Sequence, residues 1–161
     1  MHGQEEMLAQ IREEGLLVRM VVHPDACPVC KQFTDKVYFP DEAPSLPIQG
    51  CLRGSCRCRY GAFDPDGPSL EELLRLGIAA AKNGQKEEAQ EYLFTLLRAD
   101  WYHEQGWLWL SAVVDTAEER LECLQQVLVI NPDNQVAQRG VELLQAKLNR
   151  GVESEGDAGE P

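Results

Sequence analysis

Proline divides this chain before any other signal is read. Seven of its nine prolines (Pro24, Pro28, Pro40, Pro44, Pro47, Pro65 and Pro68) fall between residues 24 and 68, and none falls between 69 and 131. Proline has no backbone N–H, and its ring clashes with the preceding turn, so a helix interior cannot hold it. Long helices are therefore barred from most of the first part and free to form in the second. A boundary is expected near Pro68, with 1–68 as one unit, 69–149 as a helical unit and 150–161 as a tail.

Charge follows the same division. Residues 1–68 carry net −3, residues 69–149 net −6 and the last twelve net −3, for −12 over 161 residues. The tail, RGVESEGDAGEP, has few apolar groups to offset its ordering entropy and is expected to be disordered. A chain this acidic lacks the basic face that phosphate contacts need, so nucleic-acid binding is disfavoured. No apolar run approaches the ~20 residues that span a bilayer. Leu16–Val22 comes nearest, and Arg19 interrupts it. The opening MHGQEEMLAQIREE is polar and acidic, unlike a secretory or transit signal. A soluble, cytoplasmic protein is expected.

In the N-terminal unit, Met7, Leu8 and Ile11 share one face of a helix over about Gln4–Glu14, which Gly15 ends. Leu16–His23 reads as a strand, with shorter strands at Lys36–Phe39 and near Arg57–Tyr60. Five of the six cysteines fall here, as Cys27-x2-Cys30-x20-Cys51-x4-Cys56-x-Cys58. A Cys-x2-Cys pair followed by a second pair is a zinc spacing. The tight turn lets both sulfurs meet one ion at ~2.3 Å, and the second pair comes from a distant loop. A unit with so few large apolar residues needs a staple. Without a secretory signal that staple is zinc rather than disulfides.

Cys27, Cys30, Cys51 and Cys56 are the expected ligands, and Cys58 is the alternate, since Cys56 and Cys58 would share one strand face. His23 is a weaker substitute, better read as a strand-end surface histidine. The bases Lys31, Lys36, Arg53, Arg57 and Arg59 would steady a doubly negative four-thiolate site. They could otherwise form a small nucleic-acid patch, which the acidic balance disfavours. A thioredoxin-like dithiol is the competing chemistry, but no βαβ pattern surrounds Cys27 and Cys30. His23-Pro-Asp-Ala-Cys-Pro-Val-Cys30, Lys36-Val-Tyr38, Leu46-Pro47, Gly50-Cys51 and Cys56-Arg-Cys-Arg-Tyr60 resemble the cysteine-rich C-terminal module of phage Mu-like head-morphogenesis proteins. The likeness covers about 40 residues, supports Cys51 as a ligand, and implies no capsid role.

The helical unit opens at Ser69-Leu-Glu-Glu72, a capping box. Helices are expected over 69–83, Lys86–Ala99, Glu104–Val114, from a second capping box at Thr116-Ala-Glu-Glu119 to a stop before Asn131-Pro132, and over Asn134–Asn149. Leu73, Leu76 and Gly77 recur 34 residues on as Trp107, Leu110 and Ser111. Ala89, Leu93 and Trp101 recur after 31 as Arg120, Leu124 and Pro132. A 34-residue helical-hairpin period with this pattern resembles the tetratricopeptide repeat. Arg120 departs from it, since a small residue is expected there, and so does the shortened second turn. The expected fold class is thus mainly α, a TPR-like α-hairpin array preceded by a small α+β zinc-stapled module.

The resemblance implies protein or peptide binding in a groove lined by the first helix of each repeat. Arg75, Lys82, Asn83, Gln105, Trp109 and Ala112 are its candidate residues here. Two repeats are near the minimum for a stacked core, so dimerisation or packing on the cysteine module would supply the missing contact. Trp107 and Cys123 read as core, and Glu87, Glu88, Glu91, Glu118, Glu119 and Glu122 as a solvated face. No catalytic residues are expected: His2, His23 and His103 are scattered, and a catalytic zinc needs an open position beside a general base. The expectation is a non-enzymatic interaction scaffold with structural zinc. A dithiol redox protein or a zinc-ribbon nucleic-acid regulator is the alternative.

Overall fold

A computed structural model describes residues 2–53 and 56–157. In chain order the elements are α1 (His2–Glu13), β1 (Leu17–Val21), the one-turn helix α2 (Pro28–Lys31), β2 (Val37–Tyr38), a 3-10 turn at Pro40–Glu42 and β3 (Arg59–Phe63). Five helices follow: α3 (Leu70–Lys82), α4 (Lys86–Ala99), α5 (Glu104–Val113), α6 (Ala117–Ile130) and α7 (Gln135–Asp157). The protein is mainly helical with one small antiparallel sheet of order β2-β1-β3. Among the described residues no helix is long and apolar enough to cross a membrane.

The sheet has two working faces because side chains alternate along a strand. Val18 pairs with Ala62 and Met20 with Tyr60, and all four are buried with Ile11 and Ile48 in the N-terminal core. Arg19, Val21, Arg59 and Gly61 take the other face, toward the helices. Gly61 permits this approach: a Cβ there would stand 2.1 Å from the Ala99 carbonyl oxygen at the end of α4. The third strand therefore lies at Arg59–Phe63, later than the expected Arg57–Tyr60, because Gly61 is needed where the sheet meets α4. The first strand is shorter than expected and ends at Val21.

In the helical half the caps form as their sequences require. Ser69 accepts the Glu72 N–H at the start of α3, and Thr116 and Glu119 form a reciprocal capping box on α6. The imidazole Nδ1 of His103 caps α5 by accepting the Gly106 N–H. Consecutive helices pack on one another, α3 also touches α5, and Leu73, Leu93, Leu96, Leu110 and Val127 lie at the centre. Trp107 and Cys123 join that core. Arg120 stays outside it: its Nε donates to the Ser111 carbonyl, 3.0 Å away, so the position where a small residue was expected serves as a tie between α6 and α5. Helix α7 runs to Asp157, past the expected Asn149 and into the segment expected to be disordered, while 158–161 lie outside the described residues.

The halves are joined by several bonds. Arg98 on α4 holds Glu14 through two bonds of 2.6 and 2.8 Å. Tyr102 donates to the Arg57 carbonyl at 2.6 Å, and its ring meets His23 edge-on. Arg19 lies 3.6 Å from Asp100 and is also paired to Asp35 in the turn before β2.

Candidate metal centre

The five N-terminal cysteines converge from two loops. Cys27 is the N-cap of α2, where Pro28 at the first helical position pre-sets the turn, and Cys30 lies one turn on. Cys51 follows Gly50, whose φ of +84° only glycine adopts without strain. Cys56 and Cys58 lie on the approach to β3. The sulfurs form two trios that share Cys30: Cys27, Cys30 and Cys51, and Cys30, Cys56 and Cys58, each mutually within 4.8 Å.

Four sulfurs bound at ~2.3 Å to one tetrahedral ion stand ~3.8 Å apart. Cys27 and Cys51 are 3.8 Å apart, and Cys30 and Cys56 are 3.9 Å apart. These are the lengths of a tetrahedron's edges, and the donors are all soft sulfurs, so the cluster can hold a metal ion. Burial adds to the fit: Cys27, Cys30 and Cys58 are buried, and Cys51 and Cys56 half-buried.

The backbone prepares the sulfurs for charge. The Cys30 N–H, then that of Leu52, point at the Cys27 sulfur and hold its pKa down to about 6. Burial pushes the Cys30 thiol up and takes that of Cys58 to about 12. Burial would also raise Cys56, but the N–H groups of Ile48 and Cys58 outweigh it and leave the thiol lowered. The Ile48 nitrogen stands 3.3 Å from that sulfur. Amide donors of this kind are the support a metal thiolate needs.

The bases separate rather than form one patch. Arg53 grips Asp25 with two bonds of 3.1 Å beside the Cys27 loop. Lys36 lies over Phe33, and Arg57 turns toward His23. Arg59 crosses to the helix-facing side and stacks 4.3 Å over Trp101, while Lys31 is exposed. His23 is neither a ligand in either trio nor a surface residue. It is 3% exposed, its Nδ1 accepts the Asp25 N–H, and its Nε2 donates to the Val129 carbonyl at 2.8 Å. A strand-end histidine has no sequence signal for so distant a partner, 106 residues away.

Of the residues expected to line a groove, Lys82 and Trp109 come together, with the ammonium 5.9 Å from the ring centre. Arg75 is exposed and paired to Glu72, Asn83 ends α3, and Gln105 and Ala112 are exposed on α5. Two clefts of about 450 and 350 Å³ lie instead around Phe94, Trp101 and Trp107. Sequence reasoning missed these clefts, although Arg59 and Gly61, two apart in a strand, are bound to share a face. No family model and no curated protein sequence matches the chain.

Proposed function

We propose that the chain is a non-enzymatic interaction scaffold in which a structural zinc ion staples the N-terminal module, and the helical hairpins present a surface to a protein or peptide partner. The observation that carries this reading is the gathering of five sulfurs from two loops into two trios that share Cys30, with the pairs Cys27–Cys51 and Cys30–Cys56 at 3.8 and 3.9 Å and no histidine or carboxylate in either trio. Such a site has no open position flanked by a general base, which is the requirement of a catalytic zinc. Cys27, Cys30 and Cys51 form one corner of the site, and Cys56, with an amide aimed at its sulfur, closes it. Cys58, which lies in the second trio with Cys30 and Cys56, is the alternate. The TPR-like pattern and the exposed α3 and α5 residues around Lys82 and Trp109 support a partner surface.

One observation favours a second reading. The lowered Cys27 thiol makes a thiolate available at neutral pH, as a redox dithiol requires. Elemental analysis of the reduced protein, with a thiol count before and after chelation, separates the two. The scaffold reading expects one zinc per chain and four thiols that react only after chelator is added. No metal, with thiols reactive from the start, would overturn it and make Cys27 and Cys30 the residues to mutate.

A further inference from the structure

The sheet and the helices meet around space that neither core fills. A cleft of about 450 Å³ is walled by Met7 and Tyr60 on one side and by Phe94, Leu97, Trp101 and Trp107 on the other. A second cleft of about 350 Å³ shares Phe94, Trp101 and Trp107, and continues past Leu110 and Cys123 to Glu119 and Glu122. The same three aromatic side chains thus border both. Phe94 is 53% exposed on α4. Trp107 is fixed from behind, because its Nε1 donates to the Trp101 carbonyl and the two indoles pack edge to face at 4.9 Å.

The two clefts differ in charge. Arg59 and Arg98 line the first and not the second. Arg98 is already neutralised by Glu14. Arg59 is half-buried and stacked on Trp101, and it has no carboxylate within ion-pair distance among the described residues. In the lining of the second cleft Glu119 is occupied with the cap of α6, whereas Glu122 is exposed and has no ion pair among the described residues. One uncompensated cation and one uncompensated anion are therefore separated by apolar surface. A half-buried guanidinium without a counterion gains from an anion brought to it. Burial already lowers the pKa of Arg59, which is the same cost seen from the side of the proton.

We infer that the two clefts form one peptide-binding track for an extended segment of a partner protein, which seats an apolar or aromatic side chain against Phe94 and Trp101, an acidic residue at Arg59 and a basic residue at Glu122. The occupant is a peptide rather than a free amino acid because its opposite charges must straddle an apolar side chain and reach separate clefts. The track uses α4, α5 and α6 together with the strand face. It is distinct from the α3 and α5 surface around Lys82 and Trp109. Opposite charges in the two clefts fix the direction of the bound chain, which is what charge does best at an interface. The inference rests on the reading of the chain as an interaction scaffold.

The test is selection of a displayed random heptapeptide library on the full-length, zinc-loaded protein, followed by titration of the selected peptides monitored by tryptophan emission. The expected result is a consensus with an apolar residue between an acid and a base. Phe94→Ala should weaken binding ~10-fold or more, as loss of an aromatic anchor does. Arg59→Gln and Glu122→Gln should each weaken it ~3- to 10-fold, and each should erase the preference for the charge it faces. Far-UV circular dichroism and zinc content unchanged in Phe94→Ala and Glu122→Gln assign those losses to the surface rather than to folding. Selected peptides that respond to Trp109→Ala and not to Phe94→Ala would overturn the track while leaving the scaffold reading intact. A library that yields no binders would overturn both.

Discussion

The two halves of this molecule solve the problem of a small core in opposite ways. The helical half buries a leucine-rich seam between successive packed helices. Gly77 lies against Leu93, and a Cβ there would stand 2.9 Å from that side chain. Helix after helix adds to one cluster that reaches from Leu73 to Leu144. The N-terminal half has a short core around Ile11, Val18 and Met20, and its second layer is loop. Cysteine sulfur fills the place that leucine takes elsewhere: Cys27, Cys30 and Cys58 are buried members of that core. Where periodicity is available, packing alone suffices; where proline forbids it, the chain gathers sulfurs able to hold a metal ion instead.

The contrast can be broken most severely at the cysteines. Cys30→Ser should abolish metal content and unfold the N-terminal half, because Cys30 belongs to both sulfur trios and binding energy in such a site is folding energy. Helicity at 222 nm should fall far less than the near-ultraviolet signal of Tyr60 and Trp101. An equal loss of both would show that the helical half depends on the metal as much as its neighbour does. The seam between the halves comes next. Gly61→Ala places a methyl group against the Ala99 carbonyl and should cost ~3 kcal/mol, the upper range for overpacking, read as a shift of the urea midpoint. A smaller effect belongs to the helical half alone: Thr116→Ala removes the cap of α6 and should cost ~1 kcal/mol without altering metal content.

The smallest effect is one of pH. Burial holds the His103 pKa below its ordinary value, and the neutral ring accepts the Gly106 N–H. The unfolded chain then takes up this proton first. The stability due to neutral His103 is present above pH 6.5 and is lost as pH falls through the lowered folded value. His103→Asn keeps an acceptor at the cap without titrating. The stability advantage of the wild-type protein over the variant should therefore narrow as pH is taken from 7.5 toward 5. A constant difference would mean that the cap works through packing.

What could be read in the sequence follows the same division. Ser69 and Thr116 announced their helices because a cap needs partners only three residues away. Cys27 and Cys30 announced a metal turn for the same reason. Arg59, Gly61 and His23 could not be read that way, since their roles depend on Trp101, Ala99 and Val129, residues that only the folded chain brings near. The choice between Cys56 and Cys58 was closed to spacing because both lie in one trio with Cys30. The extra length of α7 was hidden by its acidic composition.

The bond from His23 to Val129 carries a consequence for the history of the chain. Carbonyls in the last turn of a helix have no partner of their own, and Val129 lies in the last turn of α6. Its partner is supplied from before the cysteine turn, so the repeat-like half inherits part of its ending from the cysteine-rich half. A cut at Pro68 would separate the two on paper and leave α6 without its borrowed donor. The two halves are therefore expected to travel through evolution as one unit, and a hybrid that joins either half to a foreign neighbour would have to replace that imidazole.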